Sequence, residues 1–288
     1  MQTRQIAGTT VSAIGLGAMP LSVEGRPPDE QGIRTIHAAL DAGVTLIDTA
    51  DAYCLDAADT GHNERLVAKA LATWGGDADS VLVATKGGHH RTADGSWRLD
   101  GSPQHLERAC EASLRALGVE AIGLYQYHRP DPDVPYSESM GMLADLRAAG
   151  KIRLVGTSNN GVEQIREAMS IVPLASVQNQ FSPRFRSSED ELRLCDELGI
   201  AFLPWSPLGG MGRAAQLGER FAPFAEVAGG RGVSPQQVAL AWEMARSPVV
   251  IPIPGASRPE TILSSAAAAD LELTDEEIAE LSAVLSTS

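Results

Sequence analysis

The chain is poor in cysteine, in long apolar runs and in basic residues, and each shortage excludes a class of protein. The three cysteines are scattered and none belongs to a CxxC pair, which argues against a disulfide framework and against a zinc site. They favour a reducing compartment, so the cytoplasm is the expected location. No stretch reaches the roughly 20 apolar residues of a membrane span. Residues 1–15 also lack the long apolar run of a signal peptide.

Basic side chains are too few to balance the acidic ones. Lys and Arg number 23 against 37 Asp and Glu, which leaves a formal net charge of −14. An acidic surface repels phosphate backbones, so we expect no nucleic-acid partner. Hydrophobic residues make up 43% of the 288 residues, as in an ordinary globular core. We expect one domain over residues 1–288, a length at which α/β barrels occur as single domains.

Short β-branched runs alternate about eight times with amphipathic helical stretches. Strands are predicted near residues 14–18, 44–48, 81–85, 121–127, 152–156, 175–179, 200–204 and 249–252. Helices are predicted near residues 30–42, 63–73, 103–117, 137–149, 161–170, 188–198, 235–246 and 259–269. Such alternation implies parallel strands joined by crossovers, and eight units indicate an α/β fold closed into a (β/α)8 TIM barrel. A flavodoxin-like open sheet is the alternative, although it would usually contain fewer units.

Additional elements are predicted at the two ends of the barrel. Residues 1–13, with turn residues Gly8-Thr9, form a predicted β-hairpin that covers the barrel floor. A last helix is predicted over residues 274–285, where Thr274 and Glu277 have the spacing of a capping box. Two long connections, 87–102 and 206–233, are left without a predicted element.

Four chemically active side chains lie at or just after the ends of three predicted strands. Asp48, Lys86 and His128 stand at strand ends, and Tyr53 lies in the loop after Asp48. Barrel enzymes take their catalytic groups from these ends, so we expect the four side chains to converge. A phenol with a pKa of about 10 is a poor acid at neutral pH, and a nearby Lys86 would make Tyr53 a stronger one. Asp48 would keep Lys86 protonated, and His128 would orient a carbonyl oxygen.

Each of these residues taken singly has an ordinary structural explanation. Asp48 is also a typical turn former, and Lys86 before two glycines suits a solvated loop. His128 is also explained as a packed histidine, and Tyr53 as an edge aromatic. It is the set of four at one end of a barrel that indicates catalysis.

Eight motifs extend the pattern from about residue 14 to residue 258. In chain order they are IDTADAY, GHNERLVAKAL, VATKGG, YHRPD, GKIRLVGTSNN, QNQFSP, PWSPLGG and IPGAS. With these motifs the chain resembles the aldo-keto reductase superfamily, in a bacterial-type form with a short C-terminus. Relatives that reduce steroid double bonds carry glutamate where this chain has His128, so the resemblance implies carbonyl reduction. Longer relatives fold a C-terminal tail over the pocket, and the end of this chain three residues after Leu285 leads us to expect an open mouth.

The sequence does not predict a Rossmann site for a dinucleotide cofactor. Gly15-Leu-Gly17-Ala-Met-Pro20 begins like a dinucleotide fingerprint, but Pro20 stands where the third glycine belongs. The resemblance implies instead a nicotinamide cofactor across the barrel mouth. Its carboxamide would bind Ser158, Asn159 and Gln178, and its ring would stack on Trp205.

The remaining cofactor contacts also follow from the resemblance. The pyrophosphate would lie along Ser206, Pro207, Leu208 and Gly209, with charge from Arg213, and the adenosine end would bind Gly255, Ser257 and Arg258. Many relatives hold the 2′-phosphate with a more basic segment, whereas this chain has Thr261 and Ser265 there. NADPH is the expected cofactor, and NADH is the alternative.

The expected function is NADPH-dependent reduction of an aldehyde or ketone, with Tyr53 as general acid and a small carbonyl compound as partner. A monomer is implied by the resemblance alone. Trp97 is the expected aromatic wall of the pocket, and His89, His90 and Arg91 are candidates to attract an anionic substrate. Three alternatives stay open: a Schiff-base aldolase with Lys86 as nucleophile, imine reduction, and a non-enzymatic nucleotide sensor.

Overall fold

A computed structural model of the chain describes residues 1–210 and 212–284. The predicted end of the last helix at residue 285 lies outside the described residues. In the part that is described, no helix is both long and apolar enough to cross a membrane.

The chain begins with the predicted hairpin. Strand β1 (Thr3–Ile6) pairs antiparallel with β2 (Thr9–Ser12). The turn is Ala7-Gly8, both with positive φ, which is the two-residue turn that suits a twisted hairpin. The turn therefore lies one residue earlier than the predicted Gly8-Thr9. Ile6 and Val11 are buried in one cluster with inward-facing residues of the barrel strands, so the hairpin closes the barrel floor.

Strands and helices alternate through the rest of the chain. The further strands are β3 (Leu16–Gly17), β4 (Leu46–Asp48), β5 (Leu82–Gly87), β6 (His89–Arg91), β7 (Trp97–Leu99), β8 (Ile122–Tyr127), β9 (Ile152–Ser158), β10 (Leu174–Gln178) and β11 (Ala201–Phe202). The helices are α1 (Asp29–Asp41), α2 (His62–Thr73), α3 (Pro103–Leu117), α4 (Tyr136–Ala148), α5 (Val162–Ile171), α6 (Glu189–Leu198), α7 (Leu217–Arg220), α8 (Ala222–Arg231), α9 (Pro235–Ala245), α10 (Pro259–Ala267) and α11 (Asp275–Val284). The main sheet has the parallel order β3-β4-β5-β8-β9-β10-β11.

Residues 249–255 join the two edges of this sheet. On one side the Ile251 N–H donates to the Phe202 carbonyl at 2.9 Å, and on the other Gly17 N–H donates to Pro254 O at 3.0 Å. The two prolines of the segment have no N–H, so it cannot form a complete strand ladder. The sheet nevertheless closes, which confirms the predicted (β/α)8 barrel and excludes the open-sheet alternative.

Elements inside the two long connections were missed by sequence reasoning. The 87–102 connection contains the antiparallel pair β6 and β7, and the 206–233 connection contains α7 and α8. Strands β6 and β7 have three residues each, and α7 has four. Elements of three or four residues are too short for hydrophobic periodicity to identify. The ten-residue α8 contains Gly229 and Gly230, and glycine disfavours a helix. The predicted capping box of the last helix is present, since Thr274 Oγ1 accepts from the Glu277 N–H and Glu277 Oε2 accepts from the Thr274 N–H.

Helix α9 contains a carboxyl group that lowers stability. Glu243 is 0% exposed, and neither carboxyl oxygen has a hydrogen-bond partner among the described residues. Burial raises the pKa of Glu243 well above its ordinary value. The unfolded chain releases this proton above about pH 4.3, whereas the folded chain retains it. Stability is therefore lost as the pH rises above the unfolded pKa.

We expect Glu243→Leu to raise the free energy of unfolding by about 1–3 kcal/mol, with a larger gain at pH 8 than at pH 5. Urea unfolding at the two pH values measures the effect, and Glu243→Gln separates the charge from the volume. An equal gain at both pH values would contradict the ionisation argument.

Candidate active site

The four catalytic candidates meet at the carboxyl end of the barrel. Asp48 ends β4 and Lys86 lies in β5, while Tyr53 and His128 follow β4 and β8. All four are buried side chains, although Tyr53, Asp48 and His128 reach the wall of the large cavity above them. The barrel thus brings together residues that are separated by up to 80 positions in the sequence, as parallel strand ends require.

Lys86 is the centre of this group. Its Nζ donates to Asp48 Oδ2 at 2.6 Å, to Tyr53 OH at 2.8 Å and to the carbonyl oxygen of Thr49 at 2.9 Å. The ammonium has three N–H groups, and these three contacts use all of them. Lys86 is therefore fixed in position with its charge directed at the phenol oxygen.

Burial and ion pairing act in opposite directions on Lys86 and Tyr53. Burial works to lower the pKa of Lys86, but the Asp48 carboxylate and Tyr53 outweigh it, and the pKa is raised above 10.5. Burial also raises the pKa of Tyr53, and the Lys86 charge offsets this only in part. Lys86 thus lowers the pKa of Tyr53, as predicted, but burial outweighs it and the net pKa of Tyr53 is raised. The resting site contains a neutral phenol beside an ammonium.

His128 stands beside the phenol as a neutral ring. Its centroid lies 5.7 Å from that of Tyr53, in an edge-on arrangement. Burial and then the Lys86 charge lower the pKa of His128 well below 6.5. An uncharged imidazole can hydrogen-bond a substrate oxygen without competing with Tyr53 as the acid.

Two amides that hold the second oxygen of Asp48 complete the group. Gln178 Nε2 donates to Asp48 Oδ1 at 2.7 Å, and Gln126 Nε2 donates to the same oxygen at 3.3 Å. Gln178 was a cofactor candidate, but its amide nitrogen is occupied here and only its oxygen end is left for a ligand. Sequence reasoning missed Gln126. The signal for it was a polar side chain within the apolar strand LYQYH, two residues before His128.

A cavity of about 650 Å³ extends from this group across the barrel mouth. Its lining includes ten of the twelve cofactor candidates, namely Ser158, Asn159, Gln178, Trp205, Ser206, Pro207, Leu208, Gly255, Ser257 and Arg258. Gly209 and Arg213 do not line it. They line a separate small depression with Arg184 and Arg220.

Two strained residues lie in the cavity wall. Outside the N-terminal hairpin, Asn159 and Ser206 are the non-glycine residues with positive φ in the described part of the chain. Asn159 Nδ2 donates to the His128 carbonyl at 3.0 Å, and its backbone N–H donates to Gln178 O at 3.0 Å. Unfavourable backbone conformations of this kind concentrate at functional sites, so they are consistent with a ligand here.

The far end of the cavity lies at the first turn of α10. Arg258 is exposed immediately before the helix, and the Ser257 carbonyl accepts from Gln31 Nε2 at 2.8 Å. A helix N-terminus with a neighbouring arginine suits a phosphate group.

Gly17 has a different role, since a Cβ there would lie 2.7 Å from the Ile253 carbonyl. That glycine permits barrel closure rather than close approach of a pyrophosphate.

The candidates to attract an anionic substrate do not present a free cation to the cavity, because His90 and Arg91 do not line it. Arg91 is buried, and its N–H groups donate to Cys54 O, Gly95 O and the Glu24 carboxylate. Its Cζ lies 4.1 Å from the centroid of the Trp97 ring. His89 lines the cavity 4.6 Å from Trp97, and burial lowers its pKa to about 4. Arg91 therefore supports the predicted aromatic wall and is not available to an anionic substrate.

The model of the Aldo/keto reductase family matches residues 13–286 of the chain. The chain belongs to the aldo-keto reductase family. Among curated proteins it is 35% identical over 283 residues to an uncharacterised oxidoreductase of Schizosaccharomyces pombe, covering 97% of this chain and 88% of that one. It is 32% identical over 302 residues to a probable aldo-keto reductase of Glycine max, covering 95% and 85%.

Solved structures agree with this family assignment. A glycerol dehydrogenase of Gluconobacter oxydans superposes on this aldo-keto reductase with a TM-score of 0.85 and 30% identity, over 99% of this chain and 95% of that one. An aldo/keto reductase of Klebsiella pneumoniae, crystallised with NADP and acetate, has a TM-score of 0.80 and 30% identity, over 96% and 92%. The family to which the chain belongs therefore includes a protein crystallised with NADP.

Proposed function

We propose that this protein reduces an aldehyde or a ketone to the alcohol with NADPH, and that Tyr53 donates the proton. The observation that carries the proposal is the Lys86 ammonium, 2.8 Å from Tyr53 OH and 2.6 Å from Asp48, at the inner wall of the large cavity. Family membership supports the reaction class, and the NADP complex of the Klebsiella pneumoniae protein supports the cofactor.

The residues present fit a nicotinamide cofactor. Trp205 and Gln178 both line the cavity, and because the Gln178 nitrogen is held by Asp48, its oxygen can accept from a carboxamide. Ser206, Pro207 and Leu208 line the middle of the cavity, and Ser257 and Arg258 line its far end. When bound, NADPH supplies the hydride that adds to the carbonyl carbon.

The protein groups complete the reaction by moving one proton. A substrate oxygen that gains negative charge as hydride adds takes the proton from Tyr53 OH. The phenolate that results is stabilised by the Lys86 ammonium at hydrogen-bond distance, and Lys86 keeps its own proton because Asp48 raises its pKa. Neutral His128 orients the oxygen toward Tyr53. Each of the four residues thus has a separate function.

The contacts of Lys86 disfavour the aldolase alternative. A Schiff base requires an unprotonated amine that is free to attack a carbonyl. Lys86 is protonated, and its three N–H groups are held by Asp48, Tyr53 and the Thr49 carbonyl. Borohydride treatment with substrate is expected to leave the mass of the protein unchanged.

The direct assay follows loss of NADPH absorbance with an activated, uncharged aromatic aldehyde, with NADH in parallel. We expect turnover with NADPH at a lower KM than with NADH. Absence of turnover with both cofactors and a range of carbonyls, together with tight nucleotide binding, would contradict the proposal and favour the nucleotide-sensing role.

Arg258→Ala is expected to weaken NADPH binding by a factor of about 10 to 150 and NADH binding less than twofold. A charge-assisted hydrogen bond to a phosphate contributes about 1.5–3 kcal/mol, and only NADPH carries the 2′-phosphate. Dissociation constants for both nucleotides measure the difference. Arg153→Ala, which removes an exposed arginine that does not line the cavity, serves as the charge control. Equal weakening of both nucleotides by Arg258→Ala would refute a 2′-phosphate contact.

A further inference from the structure

A chain of buried hydrogen bonds runs through the barrel interior beneath the reacting groups. Ser176 Oγ donates to Gln126 Oε1 at 3.1 Å, and Gln126 Nε2 donates to Asp48 Oδ1 at 3.3 Å. Asp48 Oδ2 in turn accepts from Lys86, which holds Tyr53. Ser176 and Gln126 are both 0% exposed, and neither lines the cavity. They therefore act on the reacting groups through Asp48, and Gln126 Oε1 also accepts from Gln178 Nε2 at 3.5 Å.

The direction of each hydrogen bond in this chain is fixed by chemistry. The Asp48 carboxylate is an acceptor only, so both amides must present their nitrogen to it. The Gln126 oxygen consequently points back into the barrel, where the Ser176 hydroxyl satisfies it. Gln178 is ordered in the same way, with its nitrogen on Asp48 and its oxygen end left for the cofactor.

The neighbouring strand leaves room for this arrangement. Gly156 on β9 lies beside the chain, and a Cβ at that position would lie 2.2 Å from Ser176 Oγ and 2.9 Å from Gln126 Cγ. Any other residue at 156 would displace one of the two side chains. The space and the hydrogen-bond partners are thus both provided by the barrel strands.

We propose that Gln126, oriented by Ser176, is a positioning residue that holds the Asp48 carboxylate in the orientation that receives Lys86. The role rests on the proposed function, because it matters only if the Lys86–Tyr53 pair performs proton donation. Loss of the 3.3 Å hydrogen bond from Gln126 leaves Asp48 Oδ1 held by Gln178 alone, so the carboxylate is less well fixed. The effect would reach Tyr53 through Lys86 without any contact with substrate or cofactor.

Gln126→Met tests this role, since methionine keeps the length of the side chain without the amide. We expect kcat to fall about 10-fold, as expected for loss of about 1.4 kcal/mol, while the NADPH dissociation constant changes less than twofold. The basic limb of the kcat–pH profile should move to lower pH, because the Asp48 carboxylate is the main group that raises the pKa of Lys86 against the effect of burial. Ser176→Ala should also lower kcat and shift the basic limb to lower pH, each by less than Gln126→Met does.

The control variant is Ser139→Ala, which removes another buried serine hydroxyl, one that contacts the Gly101 carbonyl and Tyr127 OH rather than Asp48 or Gln126. It should leave kcat and the pH profile unchanged. In the Asp48→Asn background, Gln126→Met should lower kcat less than twofold. In urea unfolding of the protein without nucleotide, the shifts of the midpoint caused by Gln126→Met and Asp48→Asn should be non-additive.

The proposal is overturned if the wild-type protein turns over and Gln126→Met retains its kcat and pH profile. It is also overturned if Gln126→Met costs the same factor in the Asp48→Asn background. Failure of the proposed function would look different, because the wild-type protein would then show no NADPH oxidation.

Discussion

Replacement of Tyr53 by phenylalanine is expected to lower kcat by about 10²–10⁴-fold, the usual contribution of a positioned general acid. Only the hydroxyl is removed, so the ring keeps its packing against Val23 and Ala50 and its edge-on contact with His128. The NADPH dissociation constant should change less than twofold, because the variant affects a step after binding. Single-turnover kinetics and a fluorescence titration with nucleotide measure the two quantities separately.

Tyr136→Phe is the matched control for this substitution. Its hydroxyl is within hydrogen-bond distance of Thr157 Oγ1, 3.1 Å away, and does not line the cavity. Its loss should leave kcat unchanged within about twofold. If Tyr53→Phe retains wild-type kcat, the proton comes from another group, and Tyr53 is not the acid.

Lys86→Met is expected to abolish measurable turnover and also to destabilise the protein by about 3–5 kcal/mol. The second effect arises because Asp48 would keep a negative charge in the barrel interior without its cation. Asp48 and Tyr53 raise the pKa of Lys86 above its unfolded value of 10.5, so the favourable contribution is complete below that pH. It is lost only as the pH rises through the folded pKa. Urea unfolding at neutral pH therefore measures the full effect.

A second substitution separates the structural effect of Lys86→Met from its catalytic effect. Adding Asp48→Asn removes the unpaired charge, so the double variant should recover much of the lost stability. Activity should stay absent, because no ammonium is left to stabilise the Tyr53 phenolate. Recovery of activity along with stability would show that Lys86 acts only as a structural ion-pair partner.

The barrel and its central residues were predictable because they depend on local pattern and on one topological rule. Strand and helix periodicity gives the alternating units, and parallel strands place Asp48, Lys86 and His128 at the same end. Barrel closure was harder to foresee in detail, because residues 249–255 contain prolines and pair through only part of their backbone. The eightfold alternation of strands and helices nevertheless predicted a closed barrel despite these prolines.

The parts that sequence did not reveal depend on which way a side chain points. Arg91 looks like an anion-binding residue in the sequence, yet its guanidinium is buried and stacks on Trp97. Arg213 likewise lies outside the cavity, although its neighbours Gly212 and Ala214 line it. In the sequence, Gln126 is an isolated polar residue in an apolar strand. Only the fold shows that Ser176 of β10 donates a hydrogen bond to it. Such contacts between residues far apart in sequence have no local signature.

The most direct measurement is transfer of deuterium from NADPH labelled at C4 of the nicotinamide ring, with the two stereoisomers of the label tested separately. An uncharged aromatic aldehyde serves as the acceptor, and mass spectrometry of the alcohol reports the label. Hydride transfer predicts one deuterium on the carbinol carbon from one stereoisomer and none from the other, because a ring held against Trp205 presents a single face. An alcohol without the label from either stereoisomer, or no alcohol with any carbonyl tested, would contradict the account.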